Sequence, residues 1–583
     1  MTDDLYKDLN QPSYEVLRRK LNEHALTLIQ NHQSILPLKR LDTLKIASVA
    51  IGTEKNTTVF QNSLDLYSDI QHFSLGDSNA DSLLKELSGY ELVVAGMLGT
   101  NELPYRDYGI KKSHKEFINA LSKKTKVAFI HFGNPYALGN GLDLHAPAAI
   151  LVANHDNSSI IQEVAAQAIF GGVPVSGQLP VSVNNEFLSG TGLNISESIR
   201  LKYTIPEEAG VSSQKLEKVD SIVQDAIKKQ ATPGCQIYVA KDGKVIFNKS
   251  YGYHTYLKKQ KVNWKDLYDI ASITKIVAAV PSIMHFYETG RMRLRDSLGK
   301  FLPRLDTTNK EDLIVRDVLT HQARLKSWIP FYQNTLETFY PDQKLISTKF
   351  SGEYPYKIGE HSYMVKNFRF KEDVYSPYPS DQYSIQVADN MYQNKRIRDS
   401  VFAIIDKSEL LEEKDYVYSD LGYYYFYQII EQLSEQPLER FVEEKFYNSL
   451  GAYKLMFLPL RRYPKSSIVP TENDMIFRKQ LLQGFVHDPG TAMLGGVCGH
   501  AGVFSNANDL GKMMQMYLNG GNYGGIRYFS DSTLRKYTES PFKEENGNRR
   551  AIGFDKPVTE EDKPGPTFSG ISPKSYGHSK FRG

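Results

Sequence analysis

A serine and a lysine three positions apart form the pattern in this sequence with the clearest chemistry. Ser272 and Lys275 lie in the run YDIASITK at 268–275. A serine hydroxyl is a weak nucleophile at neutral pH and needs an adjacent base. On a helix, residues three positions apart share a face, so the lysine can hold or take the serine proton. The pair predicts nucleophilic acyl transfer on Ser272.

Apolar neighbours distinguish Ser272 from the other serines with the same spacing. Ser272 and Lys275 lie inside an apolar stretch, 270–280, where a lysine is expected to be partly buried. A buried lysine costs free energy unless it is paired or functional. For the other four pairs the ordinary interpretation is a solvated helix face: Ser82/Lys85, Ser212/Lys215, Ser297/Lys300 and Ser540/Lys543.

A second element must relay the serine proton, and the tripeptide Tyr418-Ser419-Asp420 can supply it. A tyrosine beside a lysine ammonium can act as a base because the cation stabilises the phenolate. Asp420 can accept a hydrogen bond from Lys275 and orient it. Tyr418 is favoured because it enters a helix-like run and follows Ser272 along the chain. Similar tripeptides, which we discount, occur at 67–69, 332–334 and 392–394.

A third element near the C-terminus, YGHSKF at 576–581, is predicted to be a strand that carries a cation opposite the serine. It contains His578 and Ser579. A lone histidine is more often a surface residue or a satisfied polar group. Its order after the other two elements is what makes His578 a candidate for the site.

The elements that must position these residues fall into two parts. In residues 1–190, short β-branched runs at 45–51, 91–98, 126–132 and 148–153 alternate with helical patterns at 113–122 and 158–170. Apolar strands separated by helices indicate a buried parallel sheet. This part is therefore predicted to be an α/β sandwich.

The second part, 206–583, follows a polar, glycine-containing linker at 191–205. A helical pattern at 214–230 precedes two alternating runs joined by Asp242-Gly243, which is a strong hairpin signal. An antiparallel sheet framed by helices, with Ser272 at a helix N-terminus, is expected here. The stretch 327–415 is expected to be an irregular insertion over the site. No internal repeat is evident in the sequence.

The first part resembles the α/β sandwich domain of family 3 glycoside hydrolases. The resemblance rests on NEHALTLIQN at 22–31, SILPL at 34–38, AAQAIFGG at 165–172 and SGQLPVSV at 176–183. In that family a preceding (β/α)₈ barrel carries the nucleophilic aspartate. No barrel motif is present in this sequence, so the resemblance implies a barrel that is missing or is supplied by another chain.

The second part resembles the β-lactamase-related serine hydrolases, which include class C β-lactamases, DD-peptidases and esterases. Besides the three elements above, the resemblance rests on VLTHQ at 318–322, LGG at 494–496 and GHAGVFS at 499–505. The implied fold is an α/β sandwich followed by an α+β β-lactamase/penicillin-binding-protein-like (DD-peptidase-like) domain. The fusion order resembles long envelope proteins of Bacteroidetes-type bacteria.

The resemblance also assigns roles within the site. Ser272 is the nucleophile, Lys275 and Tyr418 share its proton, and Asp420 orients the lysine. The backbone N–H of Ser272 is one oxyanion donor. The leaving-group side and the second oxyanion donor are assigned to residues near the C-terminus, namely His578, Ser579 and Phe581.

Three positions depart from the family pattern. Lys580 stands where glycine is usual, a second departure falls at Arg582, and Arg324 replaces another glycine. The sequence ends at Gly583, before the last two strands and the helix of the family. We therefore expect a truncated domain with an unpaired sheet edge, and a large side chain at 580 that narrows access for substrate.

Composition excludes several classes of function. A net charge of +3 with a pI near 8.3 is too mild to indicate a nucleic acid or an anionic membrane as partner. The two cysteines, Cys235 and Cys498, form no metal-binding spacing, so neither a metal nor a cofactor is predicted. The sequence shows no transmembrane stretch and no secretory signal. Location is therefore not assigned from this chain, although full-length relatives look exported to the bacterial envelope.

The sequence favours a serine hydrolase that forms an acyl-enzyme on Ser272 and hydrolyses an ester or amide. A small ester, an amide or a muropeptide-like compound is the expected substrate, linked to peptidoglycan or cell-wall sugar metabolism. Two alternatives stay open. One is a fragment of a family 3 β-N-acetylglucosaminidase that lacks its catalytic barrel, and the other is a non-catalytic interaction module.

Overall fold

The computed structural model describes residues 5–53, 57–76, 78–139, 141–154, 158–558, 567 and 570–579. Within these residues no helix is both long and apolar enough to cross a lipid bilayer. Three of the positions discussed above lie outside the described residues. They are Phe581, assigned to the oxyanion site, and the two departures from the family pattern at Lys580 and Arg582.

The N-terminal part contains a six-stranded sheet. Its strand order is β1-β6-β5-β4-β2-β3, and all neighbouring strands are parallel except β1 and β6. The four strands predicted from β-branched runs are present as β2, β4, β5 and β6. The strands are β1 (Leu26–Asn31), β2 (Ile46–Ile51), β3 (Gln71–Leu75), β4 (Leu92–Met97), β5 (Lys126–Gly133) and β6 (Ala149–Asn154).

Helices cover both faces of this sheet and enclose two separate apolar cores. One face is covered by α2, α3 and α6, and the other by α4 and α5. The side chain of Thr58 caps α3, and Gly171 ends α6 at φ 71°. The helices are α1 (Leu5–Leu9), α2 (Pro12–Ala25), α3 (Val59–Leu64), α4 (Ala80–Leu87), α5 (Lys112–Ser122) and α6 (Ser159–Phe170).

The segment 191–205, predicted as a linker, pairs with both neighbouring sheets. Leu193 and Ile195 form isolated bridges with Leu28 and Val175 on its N-terminal side. At its C-terminal end, β7 (Lys202–Tyr203) runs parallel to a strand of the second part. The backbone therefore holds the two parts together at this point.

The second part begins with the predicted helix and hairpin. Helix α7 (Ser213–Lys228) starts at the capping side chain of Ser212. The hairpin of β8 (Gly234–Lys241) and β9 (Lys244–Gly252) turns at Asp242-Gly243, where both residues have positive φ. Strand β10 (Tyr268–Asp269) then leads directly to Ser272.

The region expected to be an irregular insertion contains eight short strands. Strands β11 (Leu336–Thr338) and β15 (Phe368–Phe370) pair with each other. The others form two three-stranded sheets, so the expectation of irregular structure is wrong for 336–393. The sheets are β12 (Ile346–Ser347), β13 (Tyr356–Gly359) and β14 (Ser362–Met364), then β16 (Tyr375–Ser376), β17 (Ile385–Ala388) and β18 (Met391–Gln393).

The two sheets of the insertion are copies of one arrangement, a repeat that the sequence does not reveal. Each strand of the second sheet follows its counterpart by 29 residues, as Tyr375 follows Ile346, and the pairing registers match. Local hydrogen bonds also recur. The Ser347 hydroxyl accepts from the N–H two residues later at 3.1 Å, and Ser376 does the same.

The remaining elements pack around the helix that follows Ser272. Residues 275–279 form a π-helical turn that continues into α8, and residues 276–280 are fully buried at the centre of the core. The helices are α8 (Val280–Glu288), α9 (Val315–Leu319), α10 (Arg396–Lys407), α11 (Leu421–Ser434), α12 (Leu438–Val442), α13 (Asn448–Leu450), α14 (Pro489–Met493), α15 (Ala507–Leu518), α16 (Asp531–Thr538) and α17 (Lys543–Asn546); the strands are β19 (Met456–Phe457), β20 (Glu472–Asp474), β21 (Gln480–Leu482), β22 (Val503–Ser505), β23 (Asn522–Tyr523) and β24 (Ile526–Arg527).

Candidate active site

Ser272 lies in a tight turn between a sheet and the central helix. Strand β10 pairs with β22, and Ile270 donates its backbone N–H to the carbonyl of Val503 at 3.0 Å. Asp269 accepts the backbone N–H of Ala271 at 2.8 Å and holds that residue at φ 45°. A non-glycine residue in this left-handed region is strained, and such strain is typical of functional sites. The turn thus fixes the direction of the Ser272 side chain.

Lys275 links the nucleophile to an acidic partner. Its side chain is 0% exposed, and its ammonium donates to Ser272 Oγ at 3.0 Å and to Asp420 Oδ1 at 2.6 Å. Burial lowers the pKa of Lys275, but Asp420 and Tyr418 outweigh it and raise the pKa above its ordinary value. Lys275 is therefore an ammonium ion that already donates to the serine oxygen, so the serine proton needs another acceptor.

Tyr418 is next to that ammonium. The centre of its ring lies 4.9 Å from Lys275 Nζ. Asp420 immediately precedes helix α11, and its backbone N–H donates to the carbonyl of Ser327 at 3.1 Å. The Ser419 hydroxyl donates to the carbonyl of Lys326 at 2.7 Å. The tripeptide is therefore anchored to the loop at 326–327, and it presents Tyr418 and Asp420 to Lys275.

His321 supports this tripeptide from below and was not assigned a role from the sequence. Its ring stands 4.5 Å from the ring of Tyr418, and its Nδ1 accepts the backbone N–H of Ser419 at 3.0 Å. Burial, with nearby Arg550 and Lys275, lowers the pKa of His321 well below its ordinary value. The sequence signal for His321 was its place in the VLTHQ segment, which the family resemblance used without giving it a function.

The C-terminal element differs from its prediction. Residues 576–579 are not a strand, because only Gly577 pairs, in an isolated bridge with Asp555. His578 does approach the site, with its ring 5.9 Å from that of Tyr418. Burial together with Lys275 and Arg550 lowers the pKa of His578 well below its ordinary value, so it is neutral and is not the expected cation. Ser579 is exposed, and its carbonyl accepts from His578 Nδ1 at 2.6 Å.

Two further residues complete the surroundings of Tyr418. The Tyr423 ring lies 5.2 Å from Lys275 Nζ, and burial raises the pKa of Tyr423 to about 12. The guanidinium carbon of Arg550 lies 5.8 Å from the centre of the Tyr418 ring. Arg550 carried no sequence signal, because its position 132 residues after Tyr418 gives no pattern from which proximity can be read.

The arrangement contains no candidate metal centre. Across the described residues, no group of three or more His, Cys, Asp or Glu side chains is placed to hold a metal ion. Cys235 and Cys498 are both free thiols. The available chemistry is therefore that of the serine, the ammonium and the tyrosine.

A nucleophilic serine next to a buried lysine and a tyrosine defines a serine acyl-transfer enzyme. A comparison with protein families agrees with this class. The family model described as Beta-lactamase matches residues 219–356 and 374–579, which together make up more than half of the chain. The chain therefore belongs to the beta-lactamase family, and it is a serine hydrolase.

Several known proteins resemble this chain. Relatives in Salmonella paratyphi A and Salmonella newport, to which the name ascribes D-alanyl-D-alanine carboxypeptidase activity, are 26% identical over 407 residues, covering 65% of this chain and 80% of theirs. A penicillin-binding protein homologue from Caulobacter crescentus has a TM-score of 0.42 at 15% identity, covering 64% of this chain and 87% of that one. The octameric penicillin-binding protein homologue from Pyrococcus abyssi has a TM-score of 0.40 at 18% identity, covering 58% and 64%.

Proposed function

We propose that this protein hydrolyses an amide or ester bond at the end of a peptidoglycan-derived peptide, through an acyl-enzyme on Ser272. The observation that carries the proposal is the pair of hydrogen bonds from the Lys275 ammonium to Ser272 Oγ and Asp420, beside the Tyr418 ring. The substrate class is supported by the D-alanyl-D-alanine carboxypeptidase activity ascribed to the relatives.

In the proposed acylation step, Tyr418 as phenolate accepts the Ser272 proton. The serine oxygen then bonds to the carbonyl carbon of the substrate, and the carbonyl electron pair moves to its oxygen. The Lys275 ammonium stays protonated and stabilises the developing charge on Ser272 Oγ. When the tetrahedral intermediate collapses, Tyr418 returns the proton to the departing amine or alcohol and becomes a phenolate again.

In the proposed deacylation step, the same groups act on water. Tyr418 accepts a proton from a water molecule, whose oxygen bonds to the acyl carbon. Collapse of this second intermediate breaks the bond to Ser272 Oγ, and Tyr418 returns the proton to the serine. Each turnover therefore consumes one water and leaves the enzyme unchanged.

The remaining roles at the site are also part of this proposal. The backbone N–H groups of Ser272 and Phe581 would bind the oxyanion, and His578 and Ser579 would line the leaving-group side. The position of His578 beside Tyr418 supports its part. A small-molecule ester, an amide or a muropeptide would fit the same chemistry.

Covalent labelling tests the nucleophile. A fluorophosphonate probe and a labelled penicillin should each modify Ser272 in the intact protein, and Ser272→Ala should abolish both. Loss of such a nucleophile costs about 10³-fold or more in rate. Ser82→Ala is the matched control, because Ser82 has the same spacing to a lysine on the exposed face of α4. Labelling that persists in Ser272→Ala would contradict the assignment.

Peptide hydrolysis tests the substrate class. Diacetyl-L-lysyl-D-alanyl-D-alanine should release free D-alanine, which can be measured by a coupled D-amino acid oxidase assay. The diastereomer that ends in L-alanine is the control, and we expect it to be inert. Turnover of p-nitrophenyl acetate without any release of D-alanine would leave an esterase and exclude the peptidase.

We also propose that the N-terminal sheet is related to the sandwich domain of family 3 glycoside hydrolases and has no glycosidase chemistry by itself. The six strands between two helix layers are compatible with that resemblance. A retaining glycosidase needs two carboxylates about 5 Å apart around the scissile bond. We expect no turnover of p-nitrophenyl N-acetylglucosaminide. Turnover that survives Ser272→Ala would instead support the alternative of a glycosidase whose barrel is supplied by another chain.

A further inference from the structure

Arg550 is a buried cation that the reaction described above does not use. Its side chain is 2% exposed, and its Nε and Nη2 have no hydrogen-bond partner in the part of the chain that the structure describes. The nearest carboxylate, Asp555, is 3.9 Å from Nη1. That carboxylate already accepts from the neighbouring Arg549 at 2.7 Å. A buried guanidinium with so little pairing is costly, so an anion close to it is expected.

The charges around Tyr418 show where that anion belongs. The ammonium of Lys275 is balanced by the carboxylate of Asp420, at 2.6 Å. His321 and His578 are both neutral, because burial and the adjacent cations keep their pKa values low. Among the described groups at the site, Arg550 therefore contributes a positive charge that no carboxylate in the cluster balances.

Geometry brings that charge to Tyr418. The guanidinium carbon lies 5.8 Å from the centre of the Tyr418 ring, and Lys275 Nζ lies 4.9 Å from it. A tyrosine oxygen that must carry a negative charge is stabilised by each cation that is close to it in a low-dielectric environment. Asp420 offsets the effect of Lys275 but has no contact of this kind with Arg550.

We propose that Arg550 is a positioning residue that holds the negative charge on the Tyr418 oxygen and so makes Tyr418 the acceptor of the Ser272 proton. This inference rests on the proposed function, in which Tyr418 takes that proton. Arg550 itself touches neither Ser272 nor the substrate. It acts through Tyr418, so its effect belongs to the proton transfer and not to substrate binding.

The pH dependence of the reaction follows from the groups that surround Tyr418. Without Arg550, a higher hydroxide concentration is needed to remove the tyrosine proton, so the rise of activity with pH should move to higher pH. The titratable and charged groups that face Tyr418 are Lys275 from the π-helical turn, Asp420 and Tyr423 from the start of α11, His321 after α9, and Arg550 and His578 from the C-terminal segment.

Two substitutions at Arg550 and one at its neighbour test the inference. In Arg550→Met, kcat for p-nitrophenyl acetate at pH 7 should fall by about 10²-fold, the lower end of general-base effects, with KM nearly unchanged. Its activity should rise at higher pH than that of the wild type. Arg550→Lys should recover part of the rate, because it restores a cation. Arg549→Met should stay within about threefold of the wild type, since the paired and more exposed Arg549 is a matched control.

The neutral ester separates this role from recognition of a substrate carboxylate. If Arg550 bound such a carboxylate, Arg550→Met would raise KM for an anionic peptide and leave p-nitrophenyl acetate unaffected, which would overturn the inference. A pH profile that keeps its wild-type shape and is only scaled down would also overturn it. If Arg550→Met does not fold, judged by thermal melting, the comparison of Arg550→Lys with the wild type decides, because the shift to higher pH should be visible there too.

Tyr418→Phe distinguishes failure of this inference from failure of the proposed function. If Tyr418→Phe retains full activity, the proposed proton acceptor is wrong and the role of Arg550 falls with it. If Tyr418→Phe is nearly inactive while Arg550→Met matches the wild type at every pH, the proposed function stands and only the role of Arg550 is excluded.

Discussion

A lysine without any exposed surface normally loses its charge, and Lys275 keeps it for an identifiable reason. Transfer of an ammonium from water to a protein interior costs several kcal/mol unless an anion is close by. Asp420 supplies that anion at 2.6 Å, at the start of a helix whose preceding residue is anchored to a separate loop. Lys275 is consequently a donor in the resting enzyme, and the tyrosine must receive the proton.

Removal of the carboxylate should therefore cost stability as well as activity. In Asp420→Asn the buried ammonium loses its partner, and the free energy of unfolding should fall by about 3–5 kcal/mol, as for other broken buried pairs. The double variant Lys275→Met/Asp420→Asn should recover much of this loss and remain inactive. Urea unfolding followed by circular dichroism measures both effects.

Asp415→Asn serves as the control for this series, because Asp415 is exposed and precedes Asp420 by only five residues. It should change the unfolding free energy by less than about 0.5 kcal/mol. If Asp420→Asn is as stable as Asp415→Asn, the pair does not hold the charge of Lys275 in place.

Sequence reasoning located the reacting residues but not their surroundings. Ser272 and Lys275 are three residues apart, so local spacing alone predicted their contact, which is confirmed at 3.0 Å. Tyr418 and Asp420 followed from a family pattern. Arg550 and His321 reach the same cluster from separate loops, and only tertiary packing brings them there. Whether the ammonium or the amine is present also depends on burial and partners, which a sequence does not show.

At the scale of elements, the short helix α14 shows how a buried ion pair can fix a loop. Asp488 caps this helix by accepting the backbone N–H of Thr491 at 2.6 Å, and it also accepts from His500 Nε2 at 3.0 Å. The His500 ring stacks on Tyr424 of α11 at 4.6 Å. One carboxylate thus ties α14 to the GHAGVFS segment and to α11, which begins at the catalytic tripeptide.

This ion pair should make stability depend on pH. Burial lowers the pKa of His500, but Cys498 and Asp488 raise it well above its ordinary value. A histidine whose folded-state pKa is raised stabilises the protein fully below about pH 6.5 and loses that contribution as the pH rises through the folded value. The opposite shift at Asp488 keeps its carboxylate ionised well into the acid range.

The difference in unfolding free energy between the wild type and His500→Gln should consequently be largest near pH 5–6 and shrink above it. Urea unfolding at intervals from pH 5 to 9 measures this difference. His361→Gln, in an exposed hairpin turn, should show no such trend. A difference for His500→Gln that stays constant over the whole range would mean that the pair is not ionic.

Element length explains which parts of the fold were predicted. The strands of the N-terminal sheet have five to eight residues, long enough for β-branched runs to be recognised. The strands of the insertion have two to four residues, too few for an alternating pattern, so this region was expected to be irregular. The π-helical turn at 275–279 has no sequence signature that separates it from an α-helix.

At the scale of the whole molecule, the two parts are joined by a polar interface around residues 65–69. Lys265 Nζ donates to Asp65 at 2.5 Å, and Tyr463 donates to Asp69 at 2.8 Å. Between these contacts, Asn508 Nδ2 of α15 donates to the carbonyl of Leu66 at 3.0 Å. The N-terminal sheet is therefore held against the same helices that support the active site.

Two glycines allow this interface to be tested without changing a polar group. Gly451 and Gly290 have nearly the same backbone, at φ 72° and 71°. A Cβ at Gly451 would lie 2.2 Å from the carbonyl oxygen of Tyr67 across the interface, whereas one at Gly290 would meet nothing within 4 Å. Both alanine variants pay the cost of a left-handed residue, about 1–2 kcal/mol, and only Gly451→Ala also forces the two parts away from each other.

We therefore expect Gly451→Ala to be destabilised by at least about 1 kcal/mol more than Gly290→Ala, as is typical of an overpacked site. Thermal melting of both variants, together with proteolysis at the segment 191–205, measures the effect. Equal melting temperatures would show that the contact between Gly451 and Tyr67 yields without cost.

The constant offset of 29 residues in the insertion has a consequence for the history of this chain. A tandem duplication of one segment produces such an offset, and it leaves two descendants with unequal duties. The second descendant is bound to the body of the enzyme, since Gln393 donates to the carbonyl of Met493 at 2.8 Å and Asp389 donates to Gln480 at 3.1 Å. The first ends in the exposed turn Glu360-His361. Freed from that anchoring, the first descendant is the part of this molecule where new side chains can be tried by evolution at the least risk to the active site.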